Sequence, residues 1–430
     1  MANIRQRGNS FQISVYLGED QEGKKLFERT TFTPSSQSPS KAKKEAEAFA
    51  RDFEDKVING RYFQGDKIKF NDLIELWKKS QDYKNLSQSC KEDYIKTLNR
   101  RAVPALGNLL ITKINPVHVQ NIYDSMEKEG KAPTTIKRTH ATINSVLKFA
   151  FRMELIDRNP CDRVKLPKVK KDDTLRYFNI EQSKAFINAL SMSYEINHKA
   201  HTRTLKQTGE EYTVPDYTQT LTIPLQFQCY FTIAVYSGFR RSEMIALTWE
   251  DISFEDKTIN VDKAIAKTED GQIIKDTKTV AGKREIKLPG ECFTLLREWK
   301  NEEKELCLQM GSKWEGFRGS EFDKNYVFIQ TDINIGQHMD LDSPYKKFKE
   351  IIRLYNDTVS DPKDKLPDIR LHDLRHTSAT LLLSQGVDIE TVSHRMGHSK
   401  PSVTLDIYGH ALESMDETAS DVLESLLSAK

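Results

Sequence analysis

Four short stretches in the C-terminal half of the chain gather residue types that can handle a phosphate. Ser237-Gly238-Phe239-Arg240-Arg241-Ser242-Glu243 is a glycine turn feeding a helix, with two arginines at its start. Leu371-His372-Asp373-Leu374-Arg375-His376 sets His372 and Arg375 three residues apart, on one face of a helix. Met396-Gly397-His398-Ser399 places a histidine just behind a glycine, and Thr404-Leu405-Asp406-Ile407-Tyr408 puts a tyrosine ten residues after His398. Two planar guanidiniums can hold both non-bridging oxygens of a phosphodiester and stabilise the charge that grows there under attack. A phenol, with a pKa of about 10, serves both as the attacking group and later as the leaving group. An exchange through such a phenol keeps the bond energy in the phosphodiester, so it needs no ATP. The same histidines allow a second chemistry. His372 and His376, like His394 and His398, stand at i, i+4, a spacing that binds zinc on a helix. There is no H-E-x-x-H, no cysteine lies within four residues of them, and a metal-dependent nuclease would not use Tyr408 or the paired arginines in this order.

The elements that must position these residues form the third of three segments. From about Thr174 the pattern is mixed and mostly helical. Ile259 and Val261, Ile273 and Ile274, and Ile286 and Leu288 read as a short β-meander, with Asp270-Gly271 as its hairpin turn. Residues 194–222 are polar and read as a loop-like insertion. From Ala411 to Lys430 an amphipathic helix carries Leu412, Met415, Val422, Leu423, Leu426 and Leu427 on one side. The second segment, 64–162, reads as four amphipathic helices. They start after Asn71, at Ser87 or Ser89, at Asn115-Pro116 and at Thr134 or Thr135, and Asn159-Pro160 stops the last. Lys137, Arg138, Lys148 and Arg152 lie on the polar side of the fourth helix, within reach of phosphates. A basic linker, 163–173, follows. The first segment, 1–62, reads as a three-stranded sheet plus a helix. In one strand Phe11, Ile13, Val15 and Leu17 alternate, a second runs near Lys25–Phe32, and the helix spans about 40–59 behind Ser38-Pro39.

Charge separates the segments. The whole chain carries +2, but residues 64–171 hold 22 basic and 12 acidic side chains, whereas residues 172–430 hold 32 basic and 42 acidic. The middle segment thus has the balance of a polyanion binder. Five scattered cysteines, never in C-x-x-C spacing, fit a reducing cytoplasm rather than a disulfide or thiolate-zinc framework. No apolar run is long enough to span a bilayer, and Met1–Ser10 has no secretory pattern.

In this order the motifs resemble the signature of the tyrosine recombinases, the phage integrase family. The matching residues are G-x-R-R-x-E followed by A-L-T-W-E-D-I, then T-K-T, L-H-D-L-R-H-T, G-H-S and T-L-D-I-Y. The resemblance implies a mainly α fold with small β-sheets in three domains. These are an arm-type DNA-binding domain (1–62), a helical core-type DNA-binding domain (64–162) and a catalytic domain (174–410). The tail helix, 411–430, would pack on a neighbouring protomer. It implies site-specific strand exchange without metal or other cofactor, through a 3′-phosphotyrosyl intermediate and a Holliday junction, to integrate or excise a mobile element. The partners implied are duplex DNA with core and arm sites, three further copies of the chain, and a DNA-bending protein or excisionase in a bacterial cytoplasm. Residue by residue, Tyr408 matches the nucleophile, and Arg240 and Arg375 match the phosphate-binding pair. His372 matches the base toward the tyrosine, and His398 a further phosphate donor. Lys278 best matches the hairpin lysine that protonates the departing 5′-oxygen, ahead of Lys275 or Lys283. Glu243, one turn beyond Arg240, would orient it, and Arg241 and His376 lie near the site without an assigned role. The alternatives are the metal-dependent nuclease and a type IB topoisomerase, which shares the nucleophile but relaxes supercoils as a monomer.

Overall fold

The computed structural model describes residues 2–19, 23–36, 38–58, 67–169, 175–205, 209–269, 271–276 and 282–413, with 424 and 427. The chain divides into two compact units, Met1–Lys171 and Asp172–Lys430.

The first unit opens with strands Asn3–Arg7, Ser10–Glu19 and Lys25–Phe32, which form one antiparallel sheet with the middle one at its centre. Phe11, Ile13 and Val15 are buried against Ala42, Ala46, Ala50 and Phe53 of helix Pro39–Ile58. The expected fourth member of that alternation, Leu17, is instead exposed, because a β-bulge between Tyr16 and Gly18 shifts the register and ends the period of two. The helical part is built on Phe70–Lys78, Gln88–Thr97, Pro116–Lys128 and Pro133–Arg152. Their apolar stripes meet around Trp77, Leu98, Tyr123, Ile143, Val146 and Leu147. The first of these helices starts at Phe70, ahead of Asn71, with Lys69 as its cap. The fourth ends at Arg152, well before Asn159-Pro160. Glu154 turns the chain at φ 53°, and the Leu155 N–H donates back to the Ala150 carbonyl at 2.9 Å, a helix-closing geometry that needs no proline.

The second unit wraps around helix Leu225–Ser237. Cys229 to Val235 are buried without a polar face, which makes it the central helix. Helices Ile180–Ser191, Gly290–Met310 and Ser343–Thr358 contribute Phe186, Phe293, Phe348 and Ile351 to the same core, and Asp373–Ser384 contributes Leu374. The expected meander is two separate structures. Strand Arg284–Lys287 pairs with Thr258–Val261, which pairs in turn with Ile252–Ser253, while Lys263–Thr268 and Gly271–Asp276 form a hairpin of their own. Ile259, Val261, Ile286 and Leu288 alternate onto the core. Ile273 and Ile274 are consecutive, so they cannot share a face, and both are exposed. Asp270 lies outside the described residues.

The polar stretch 194–222 is not a loop. Ser193–His198 pairs with Tyr217–Thr222, and His201–Thr204 with Glu211–Val214, to make an antiparallel ribbon. Its threonines carry strand preference without apolar character, and Tyr194 anchors it in the core, with Ile196 and Leu221 packed alongside. The last helix with described ends is Pro401–Glu413, and most of 411–430 lies outside the described residues. Among the described residues, no helix is long and apolar enough to cross a membrane.

Candidate active site

The sequence places Arg240, Arg375, His376 and His398 at the ends of elements, where side chains can converge, and Tyr408 within a helix. Helix Leu225–Ser237 stops at Gly238, whose φ of 65° is left-handed. That backbone favours glycine, and a Cβ at that position would lie 2.4 Å from the Met396 Cε, so the methionine would have to shift. Arg240 then sits at the cap of helix Arg241–Ala246. Arg375 and His376 occupy the first turn of Asp373–Ser384. The turn before that helix is fixed by Asp373, which is fully buried and accepts from the Arg370 backbone N–H and guanidinium. Gly397, also left-handed at φ 63°, ends helix Ile389–Met396 and presents His398. Tyr408 lies in Pro401–Glu413.

These ends meet in one place. Arg375 is 3 % exposed and tightly held. Its Nη1 donates to the Gly238 carbonyl at 2.8 Å, and its Nη2 donates to the Met396 carbonyl and to His398 Nε2, the latter at 2.9 Å. A guanidinium can only donate, so His398 Nε2 is the acceptor and its proton is on Nδ1, bonded to Thr404 Oγ1 at 2.8 Å. Arg240 is more open. Its Nη1 donates to Glu243 Oε1 at 2.8 Å and its Nη2 to the Gly397 carbonyl at 3.3 Å, with its guanidinium partly in solvent. Glu243 itself is buried between Arg240 and Arg284, each 2.8 Å away. Burial alone would raise its pKa. The hydrogen bond and charge of Arg284, then those of Arg240, hold it below the usual carboxylate value instead.

Tyr408 is 1 % exposed and packs with Ala379, Leu383, Val392 and Met396. Burial pushes its phenol up to about 12, although Arg375 and Arg240 pull the other way. Its hydroxyl lies 2.9 Å from His376 Nδ1. The resemblance assigns the base role to His372. Here His372 stands behind His376, their rings crossing edge to face at 5.2 Å. All three histidines are held neutral at pH 7. Burial, then His372, lowers His376 to about 4, and burial, then Arg375, lowers His398 to about 4. His372 is lowered chiefly by burial and next by Arg375. A cavity of about 450 Å³ opens beside His372 and Arg375, and Arg241, Arg370 and Tyr345 also line it.

Lys278 lies outside the described residues. Of its rivals, Lys275 is half-buried on the hairpin, opposite Ala264, and Lys283 is exposed next to Arg284. In the first unit Lys137, Arg138, Lys148 and Arg152 are all exposed. Arg138 is paired with Asp93 at 2.9 Å and Arg152 with Asp82. Sequence reasoning gave no role to His376 and did not single out Arg284. Both had a signal. His376, Ala379 and Leu383 stand at i, i+3 and i+7, the stripe that packs on Tyr408. Arg284 alternates with the buried Ile286 and Leu288, so the strand turns it inward too.

Comparison with known proteins agrees with this geometry. Residues 210–415 match the phage integrase family model, and residues 70–166 match the phage integrase central domain. The chain is 25 % identical to a XerC-like tyrosine recombinase of Caldanaerobacter subterraneus, over 97 % of this chain and 96 % of the relative. It is 27 % identical to the ICEBs1 integrase of Bacillus subtilis, over 74 % and 72 %. Among solved structures, the Tn1549 transposon integrase in complex with a circular intermediate DNA shares the fold. Its TM-score is 0.61 at 20 % identity, covering 83 % of this chain and all of the other. With the two models accounting for both the helical segment and the unit that gathers Arg240, Arg375 and Tyr408, the chain belongs to the phage integrase family, the tyrosine recombinases.

Proposed function

We propose that this recombinase integrates and excises a mobile element by cutting and rejoining duplex DNA through Tyr408. The observation that carries the reading is the convergence of Arg240, Arg375 and the Tyr408 pocket from four separate segments of chain. In the proposed step, Arg240 and Arg375 hold the non-bridging oxygens of the scissile phosphate. The Tyr408 oxygen attacks phosphorus and gives its proton to His376, which in the Nε2-protonated tautomer already accepts from the phenol. Lys278 protonates the departing 5′-oxygen. The strand is left with a 3′-phosphotyrosyl end and a free 5′-hydroxyl. The 5′-hydroxyl of the partner strand then attacks phosphorus and releases the tyrosine. Two such rounds pass through a Holliday junction and use four protomers.

We assign 1–62 to arm sites and 64–162 to core sites, with Lys137 and Lys148 as candidate phosphate contacts and the tail after Tyr408 as a protomer contact. A DNA-bending protein or excisionase would set the direction. The integrase names of the ICEBs1 and Tn1549 relatives support the mobile-element reading, and the DNA in the Tn1549 complex supports a duplex partner.

The test is a suicide duplex, nicked near the junction of the element that encodes the chain and incubated with the protein in EDTA. A protein–DNA adduct on a denaturing gel is expected. Cleavage that requires Mg²⁺ and leaves no adduct would replace this reading with the metal-dependent nuclease. A second expectation concerns the acid. Lys278→Ala slows cleavage of the ordinary duplex by about 10²–10⁴-fold, the usual worth of a general acid. A 5′-thio leaving group, which needs no proton, restores the rate. Equal slowing of both duplexes moves the role to Lys275 or Lys283.

A further inference from the structure

Strand Arg284–Lys287 brings into the core a cation that the scheme above does not use. The Arg284 side chain is fully withdrawn from solvent. Its Nη2 donates to Glu243 Oε2 at 2.8 Å, its Nε to the Arg395 carbonyl at 2.9 Å, and its Nη1 to the Gly282 carbonyl at 3.2 Å. Its guanidinium lies 5.1 Å from the centre of the Phe239 ring.

Three of these partners belong to segments that fix a catalytic arginine. Glu243 accepts from both the side chain and the backbone N–H of Arg240. Phe239 stands between Arg240 and Gly238, whose carbonyl binds Arg375. Arg395 directly precedes Met396 and Gly397, whose carbonyls bind Arg375 and Arg240. Arg284 therefore ties together, from behind, the two segments that hold both guanidiniums.

Its charge matters as well as its shape. A buried ion pair is weak as a device for stability alone, since apolar residues of similar volume do as well or better. Here one carboxylate is shared by two arginines. With Arg284 present the trio carries a net positive charge, and that charge sits on the more exposed member, Arg240. Without Arg284, Glu243 would neutralise Arg240, and an incoming phosphate would meet a cradle one charge weaker.

We propose that Arg284 is a positioning residue that takes up half of Glu243, keeping Arg240 cationic toward the phosphate and fixing its spacing from Arg375. This inference rests on the recombinase reading. The test uses the full chain with Arg284→Met, which keeps volume but removes charge, and two suicide duplexes. One has an ordinary scissile phosphate. The other has a methylphosphonate, which lacks the negative charge that the arginines neutralise. On the ordinary phosphate, single-turnover adduct formation is expected to fall by about 10–10²-fold relative to wild type, somewhat less than the loss of a direct donor. On the methylphosphonate the loss should shrink to a few-fold. Equal losses on the two duplexes, or no loss on either, would overturn the proposal, because a merely structural role does not sense the charge of the phosphate. If Arg284→Met melts below the assay temperature, Arg284→Lys carries the same comparison. It keeps the charge, so preferential loss on the ordinary phosphate then reports spacing, and equal loss again overturns. Wild-type protein that forms no adduct on the ordinary duplex would sink the recombinase reading itself, a separate outcome.

Discussion

Tyr408→Phe is expected to bind its duplex with unchanged affinity and to form no covalent adduct. The substitution removes a single oxygen. The ring keeps its place among Ala379, Leu383, Val392 and Met396, so the fold around it persists. What disappears is the only part of the side chain that can bond to phosphorus, together with the 2.9 Å contact to His376. Leaving that buried nitrogen unmatched costs about 1–3 kcal/mol, which a thermal melt would register as a modest shift. Fluorescence anisotropy on the intact duplex and a denaturing gel on the nicked one separate binding from chemistry. An adduct that survives the substitution would move the nucleophile to another residue.

Arg375→Lys is expected to lower single-turnover cleavage by about 10²–10³-fold, the usual penalty for losing a donor aimed at developing charge. The charge is kept, so the loss measures geometry. Arginine spans two carbonyls, Gly238 and Met396, and still reaches His398. The ammonium of lysine is one point on a flexible stem and cannot fill those positions together. At least one buried carbonyl then loses its donor, at a cost of about 1–3 kcal/mol, so the melting temperature should fall along with the rate. A drop in cleavage of less than tenfold, in a protein that still binds DNA, would remove Arg375 from the phosphate cradle.

The motifs around the reactive residues were legible because they sit at element ends, and end signals are local. Gly238 and Gly397 mark helix termini by their backbone freedom, with Arg240 two residues after the first and His398 directly after the second, while Arg375 sits in the first turn of its own helix. The helical segment was equally legible, since apolar residues at helical spacing fix Trp77, Tyr123, Ile143 and Val146 in its core. Strand partners were harder. Nothing local in Arg284–Lys287 tells it to return to Thr258–Val261 rather than join the preceding hairpin, because that choice depends on which faces the core can bury. The ribbon at 193–222 escaped notice because threonine favours strands while looking like loop composition. His376 and Arg284 escaped for another reason. Neither is given a role by the motifs, and only its periodicity relative to apolar neighbours turns it inward.

Tyr408, the proposed nucleophile, is stored rather than displayed. A phenol that is 1 % exposed and hydrogen-bonded to a neutral imidazole cannot meet a phosphate until the surrounding packing gives way. On the proposed reading, the work of uncovering it would fall on the encounter with DNA. A surplus of free protein in the cell is therefore not a surplus of scissors. Strand breakage should follow the number of assembled sites and not the concentration of the enzyme, which lets an element keep its integrase in stock without scarring the chromosome that houses it.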